Sequence, residues 1–508
     1  MSQRNPLARN IAYNFLAQLW FLILPLAVSP YLVRQLGLDK YGILALATTV
    51  VGYLAVLDFG MGTATTKYLA DHYAEGDFSA ISKVVGTSIV IYSALGLLGT
   101  LTIFALATTL VRHVLHVPPQ LTNETLTVFY IGALGFLINM PLTVFGAIPT
   151  ALQRFDILLK QNLVFGTTTL ATQVLLLALG YSLRALVLAS VIISALGVGA
   201  FVVISHRLLP GVSFRPRFEW TTARRILSFS ALKFFSVLSG QIVFQLDRLL
   251  VAAFLPLASV SYYVIALSLA QKVITVIPNV TTAVFPAISQ FRLRENGVTD
   301  LYVRVVKMVA ILVLPMTVIL VMFAEQILTL WMGAEVAAHS APALRVLSVA
   351  FLVTSYAAVP GVFAEALGRP GIPAFFAALS AVLNLSFTLL LIPHFGIVGP
   401  ALALLANGLI AVPMFLDRAH RKVIGIGNWD TVRRGMVRPL VAGAILVLFY
   451  LAVSGAARGL LGLTIVVAAG GIVFVLLCLG LGVIDRVERR MIKDFVYTYV
   501  IRGKVDAA

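Results

Sequence analysis

Long stretches without a single charged side chain decide what this chain can fold into. Residues 10–33, 84–111, 125–153, 161–183 and 459–484 are all free of Asp, Glu, Lys and Arg. Each exceeds the roughly 20 residues that a helix needs to cross about 30 Å of hydrocarbon. In lipid only helices and closed barrels satisfy their own backbone, and a barrel would read as alternating segments of about ten residues. The runs here are continuous, so the helical solution follows. Composition closes the other exit: 60% of the 508 residues are hydrophobic and 11% charged, against about a quarter charged in a soluble domain. The expected fold is therefore an all-α integral membrane protein.

The spacing predicts fourteen spans, at 11–32, 41–61, 84–110, 125–149, 161–181, 185–205, 227–251, 259–284, 305–325, 342–365, 372–393, 397–416, 439–457 and 460–484. The first run follows Arg4 and Arg9 and is too long for a signal-peptide core, so it reads as a retained helix. With both termini on one side, 28 of the 37 Lys and Arg residues fall on that side and six on the other; Lys233, Arg248 and Lys272 fall inside spans. This asymmetry puts both termini in the cytoplasm. The net charge of +17 thus belongs beside anionic lipid, and nucleic acid is not expected as a partner. Tail 485–508 is read either as a basic interfacial helix or as a plain basic extension. The lone Cys478 lies in an apolar run, so neither a disulfide nor a cysteine metal site is expected.

A weak repeat organises the spans. Leu36–Leu46 and Leu255–Leu267 each carry an outward loop into an aromatic-led helix, and an inward turn follows about twenty residues later, at Asp58 and Pro278 respectively. Six helices separate equivalent points, so the copies have the same orientation, as in transporters built from parallel halves. The expected organisation is an N-terminal lobe at 1–210, a C-terminal lobe at 211–420, two extra helices within 421–484 and a tail at 485–508.

The stretches Val33-Arg-Gln-Leu-Gly-Leu-Asp-Lys-Tyr-Gly and Asp58-Phe-Gly-Met-Gly-Thr-Ala-Thr-Thr-Lys-Tyr-Leu-Ala resemble the start of Wzx-type polysaccharide flippases. These share a superfamily with the MATE exporters and the lipid II flippases. Leu246-Asp-Arg-Leu-Leu-Val, Ser261-Tyr-Tyr, Gly368-Arg-Pro-Gly through Asn384, and Ile392-Pro-His-Phe-Gly-Ile-Val-Gly-Pro-Ala agree, so the resemblance covers roughly residues 5–420. It implies two six-helix lobes, alternating access, and a polyprenyl-diphosphate-linked oligosaccharide carried from the cytoplasmic to the outer leaflet of the inner membrane. It implies a transporter and no enzyme, with membrane lipids and the polysaccharide polymerase machinery as further partners.

Ionisable groups inside spans are expensive, about 2.5–3.5 kcal/mol each at the bilayer centre on insertion scales, and so are functional candidates. Lys233 and Asp247 share one stripe of the seventh span, which includes Gly240 and Phe244. Lys233 either faces a cavity or snorkels to the cytoplasmic surface. Asp247 and Arg248 are either cavity residues or interfacial ones. Lys272 and Asn279 share a face of the eighth span, with Lys272 near its middle. Asn14 and Gln18, an i,i+4 pair, are substrate contacts or interhelical glue. Asp58, with Gly60 and Gly62, reads as a cap at a cytoplasmic turn, or else as a gate against Lys67 or Arg154.

Two other classes compete. A MATE-like exporter would use a buried acid for a proton or Na⁺ and take cationic substrates, whereas the in-span residues here lean basic. A membrane polymerase, ligase or glycosyltransferase needs a sizeable outward loop, and the loops here are short. No catalytic residue, metal site or bound cofactor is expected. Coupling to a proton or sodium gradient stays open.

Overall fold

The computed structural model describes residues 20, 23–278, 280, 281, 284, 288 and 297–483. Asn14, Gln18, Asn279 and the tail 485–508 lie outside the described residues, as do the side chains of Lys233 and Phe244. The described chain is helical almost throughout, with no strand among the described residues. Its principal helices are α1 (23–36), α2 (Leu38–Leu54), α3 (Met61–Glu75), α4 (Phe78–Thr109), α5 (Thr122–Ala151), α6 (Phe155–Ala178), α7 (Leu183–Leu208), α8 (Trp220–Phe254), α9 (Leu257–Ala270), α10 (Lys272–Thr275), α11 (Gly297–Met322), α12 (Ala324–Met332), α13 (Ala334–Ala366), α14 (Gly371–Phe395), α15 (Val398–Ala419), α16 (Val437–Val453) and α17 (Gly459–Gly480).

Eleven helical segments among the described residues are long and apolar enough to cross a membrane, where fourteen spans were expected. The three further expected spans are 11–32, 161–181 and 227–251. Most of the first lies outside the described residues. The other two coincide with α6 and α8, whose hydropathy is diluted by polar residues: Gln161, Asn162, Thr167–Thr169 and Gln173 in α6, and Lys233, Gln241, Gln245, Asp247 and Arg248 in α8. The eighth span also differs from expectation. Its regular hydrogen bonding loosens at Gln271, just before Lys272, and again at Val276, although both residues keep right-handed helical backbone angles and Leu257–Thr275 remains one segment. The second of these lies two residues before Pro278, whose ring withholds a donor from the preceding turn and crowds it.

The described residues fall into two compact units, one within Met1–Val264 and Ser380–Pro400, the other within Ile265–Leu379 and Ala401–Ala508. In the first unit a core of Tyr92, Val144, Ile148, Met61 and Leu69 joins α3, α4 and α5. Polar side chains fasten the helices around it. Ser194 donates to Asn139 Oδ1 (2.5 Å), Gln161 Nε2 to the Gly197 carbonyl (2.9 Å) and Gln173 Nε2 to Ser190 Oγ (3.0 Å). In lipid, where apolar burial drives helix association weakly, such bonds and small-residue contacts carry much of the specificity.

The connection from α7 to α8 is strapped across the start of α4. Ser213 N–H donates to Ser82 Oγ (3.0 Å), Thr87 Oγ1 to the Arg217 carbonyl (3.2 Å) and Glu219 N–H to Thr87 Oγ1 (3.2 Å), while Lys83 Nζ pairs with Glu219 at 3.2 Å. Hydrogen bonds from Thr222 and Lys83 hold the Glu219 carboxyl below the usual glutamate range. A depressed carboxylate contributes its stability above its unfolded value and loses it as pH falls through the folded one, so the clamp is complete at neutral pH. The strap passes so close to Gly86 that a Cβ there would lie 2.8 Å from the Arg215 carbonyl oxygen. Gly86→Val therefore forces two backbones apart and is expected to cost about 1–3 kcal/mol, the scale of overpacking. The loss is read as a lower unfolding temperature in detergent.

In the second unit a hydrogen-bonded chain runs from the fully buried Tyr302 on α11 to the surface. Tyr302 Oη meets His420 Nε2 (2.7 Å), His420 Nδ1 meets Asn428 Oδ1 (2.7 Å), and Asp417 Oδ1 accepts from both Asn428 Nδ2 (2.7 Å) and Arg421 Nε (2.8 Å). Near the C-terminus, buried Tyr450 of α16 donates to the Val467 carbonyl (3.3 Å) and ties α16 to α17. Ion pairs join Lys40 to Glu124, Lys83 to Glu219 and Arg154 to Asp156 in the first unit, and Arg345 to Glu325, Arg421 to Asp417 and Arg434 to Asp300 in the second.

Candidate functional site

The most demanding group in the first unit is Asp247, a carboxylate on a helix with the length of a span and 3% exposed. Isolated in hydrocarbon, it would have to be neutralised or surrounded by donors. The fold supplies the donors. Tyr263 on α9 gives its hydroxyl to Oδ2 at 2.8 Å. Two side chains from α14 reach Oδ1: Asn384 Nδ2 at 3.5 Å and Thr388 Oγ1 at 3.5 Å. These two are four residues apart, so one face of α14 presents both. Asn384 Nδ2 also approaches the Val243 carbonyl at 3.4 Å, while its Oδ1 is buried with no partner among the described residues. That orphan acceptor sits beside a carboxylate. The arrangement of one acid, one amide oxygen and two hydroxyls suits a proton or a small hard cation, which takes oxygen ligands.

Arg248 follows directly in sequence yet turns elsewhere. Its Nη1 lies 3.4 Å from Thr49 Oγ1 on α2, and its Nε is buried without a hydrogen bond. Tyr41 and Tyr53 of the same helix lie within its electrostatic reach. Most of the guanidinium fork is thus uncommitted among the described residues. The approach of α2 to α8 and α9 depends on glycine: a Cβ on Gly52 would lie 2.8 Å from Gln245 Oε1, and one on Gly42 would lie 2.9 Å from the Leu257 carbonyl. Ser261 closes the contact by donating to the Leu38 carbonyl (2.5 Å).

The other expected residues are placed as follows. Lys272 opens α10 in the second unit, is half-buried, and makes no hydrogen bond or ion pair among the described residues. Lys233 lies on α8, with its side chain outside the described residues. Asp58 accepts from the Gly62 N–H (3.2 Å) and from the hydroxyl of the buried Tyr92, fixing the turn between α2 and α3. Gly60 adopts φ 77° there, a left-handed conformation that suits glycine. Arg154, one proposed gate partner of Asp58, is engaged by Asp156 at 2.9 and 3.0 Å, and that bond holds the Asp156 carboxyl below its ordinary range. Tyr263 entered the sequence reading only within Ser261-Tyr-Tyr, without a role, and Thr388, Thr49 and Tyr53 were not singled out. Uncharged residues in apolar helices carry no signal of their own, and only the neighbouring acid and arginine give them meaning.

Three comparisons bear on this architecture. The family model described as "Polysaccharide biosynthesis protein" matches residues 31–339. A Shigella flexneri protein named "Putative O-antigen transporter" is 22% identical over 381 residues, which is 73% of this chain and 88% of that protein. A Haloferax volcanii protein named "Probable low-salt glycan biosynthesis flippase Agl15" is 22% identical over 410 residues, covering 78% of this chain and 80% of its own. Among solved structures, the lipid II flippase MurJ in an inward closed conformation superposes with a TM-score of 0.72 at 13% identity, over 92% of this chain and 97% of MurJ. An inward-facing MATE multidrug transporter gives 0.63 at 16% identity, over 80% and 95%. At these identities the superpositions establish a shared fold.

Proposed function

Because this chain belongs to the polysaccharide biosynthesis protein family and two relatives are named a transporter and a flippase, we propose that it is a transporter and not an enzyme, and that it carries a polyprenyl-diphosphate-linked oligosaccharide across the inner membrane. Movement runs from the cytoplasmic to the outer leaflet by alternating access, with both termini in the cytoplasm. The observation that carries the anionic substrate is Arg248: a guanidinium within a membrane helix, most of whose donors are uncommitted among the described residues. A planar fork of N–H donors in a low-dielectric setting suits a diphosphate bidentately. Lys272, in the second unit, is a separate cation without a partner among the described residues. A drug exporter handling cations would have no use for uncommitted positive charge.

Asp247 serves the energy of the cycle in this reading. A proton or a sodium ion at its carboxylate, with Asn384 Oδ1, Tyr263 and Thr388 around it, would satisfy the orphan oxygen and remove the charge. Ion occupancy then favours one packing of α8, α9 and α14 over the other, which is what coupling to a gradient requires.

Deletion of the gene tests the proposal directly. Surface glycan is expected to disappear, and lipid-linked repeat units to accumulate in the inner leaflet with glycosyl transfer in isolated membranes unchanged. Loss of transferase activity would point to an enzyme instead, and a change confined to dye or drug efflux would point to an exporter.

A further inference from the structure

We propose that a groove between the first turns of α14 and the last turns of α15 seats one anionic phospholipid of the inner leaflet, with Arg418 holding its phosphate. The groove encloses about 480 Å³, with Ile372, Phe375 and Phe376 on one wall and Met414 and Arg418 on the other. Its floor is fixed by rings: Phe376 lies 5.2 Å from Phe375 and 5.3 Å from Phe415, centroid to centroid. Its rim is unusually bare, with Phe375 63% and Met414 51% exposed. The bare surface continues along α15 through Ile410 and Leu409, a strip that a hydrocarbon chain can follow.

Charge at the end of this strip specifies the head. Arg369, Arg418, Arg421 and Lys422 gather at these helix ends. The carboxylate in the groove wall, Asp417, is already committed to Arg421 (2.8 Å) and Asn428 (2.7 Å). Arg369 donates to the Lys422 carbonyl. Arg418 makes no hydrogen bond or ion pair among the described residues and is exposed at the mouth of the groove. An unopposed guanidinium above an apolar strip fits an amphiphile with a phosphate head, and the surplus of cations selects a head of net negative charge. A soluble anion would leave the strip bare, and a zwitterionic lipid would gain little from the surplus. The assignment to the inner leaflet rests on the orientation given above; the chemistry of the groove does not.

Native mass spectrometry of the purified full chain, titrated with phosphatidylglycerol, tests this. The wild type is expected to retain one lipid more tightly than the rest, Arg418→Gln to lose that lipid or bind it at least about fivefold more weakly, and Arg418→Lys to keep part of it. Arg112→Gln, at another exposed arginine, should bind like the wild type, and matching thermal unfolding of all variants shows that the fold is intact. Unchanged retention by Arg418→Gln overturns the proposal. So does equal retention of phosphatidylcholine, or displacement of phosphatidylglycerol by inorganic phosphate or by polyprenyl phosphate. Binding is scored without transport, so loss of glycan export in the deletion strain and loss of lipid in the variant fail independently.

Discussion

Asp247→Asn inserts and accumulates like the wild type but exports glycan at least about tenfold more slowly, the effect of about 1.4 kcal/mol on a barrier. The amide keeps the shape of the carboxylate and one acceptor oxygen, so Tyr263 retains a partner. What it loses is the charge that a proton or sodium ion would neutralise. The residual export should therefore stop responding to collapse of the proton or sodium gradient. Asp247→Ala is the harsher change, because it strands the Tyr263 and Thr388 hydroxyls in a buried site at about 1–3 kcal/mol for each stranded group. Its protein level should fall as well. Complementation of the deletion strain, with levels followed by immunoblot and export measured with and without ionophores, distinguishes the two. Full, gradient-sensitive export by a well-expressed Asp247→Asn protein would remove the carboxylate from the cycle.

Removal of the in-membrane cations should abolish most export while leaving the fold in place. Arg248→Ala gives up one long hydrogen bond to Thr49 and an Nε that has no partner, so little stability is at stake. Arg248→Lys keeps the charge but not the fork, and a bidentate site does not accept that exchange as neutral; partial export at best is expected. Lys272→Ala breaks no bond among the described residues and should also insert normally. It is expected to lose most export, with Lys272→Arg recovering part. The measurement is glycan at the surface per unit of protein in the membrane. Wild-type export by both alanine variants would rule out a cationic route for the diphosphate and leave the fold untouched.

The helices were legible because membrane insertion is written into sequence as length and lack of charge, and α2, α4, α5, α7, α13 and α17 all stand where uncharged runs put them. The loosened turn at Gln271 was not legible. Such a local departure in an apolar run is decided by what packs beside it, and Gln271 and Lys272 read equally well as part of a regular span. For the site, sequence offered Asp247 and Arg248 as neighbours and left both undecided between cavity and interface. Structure separates them, one turned to α9 and α14 and the other to α2. Asn384 closed a stretch that carries the family resemblance but had no role assigned to it, and Thr388 could not be found in advance, since nothing in α14 distinguishes it from a residue that bonds its own helix. Asn14, Gln18 and Asn279, three polar candidates, lie outside the described residues.

The partners of Asp247 also impose an order in time. Tyr263 follows it by 16 residues, but Asn384 and Thr388 follow by 137 and 141. A ribosome adding about 5–20 residues per second needs on the order of 7–28 s to cover that interval. Throughout it, α8 carries an acid and an arginine into the bilayer before two of the three side chains that shelter the acid have been made. The nascent helix must wait in the translocon or beside an insertase, and the arrival of α14 ends the wait. Biogenesis of this chain thus has a checkpoint about three-quarters of the way along its 508 residues, and a ribosome halted between α8 and α14 would leave α8 as its most exposed liability.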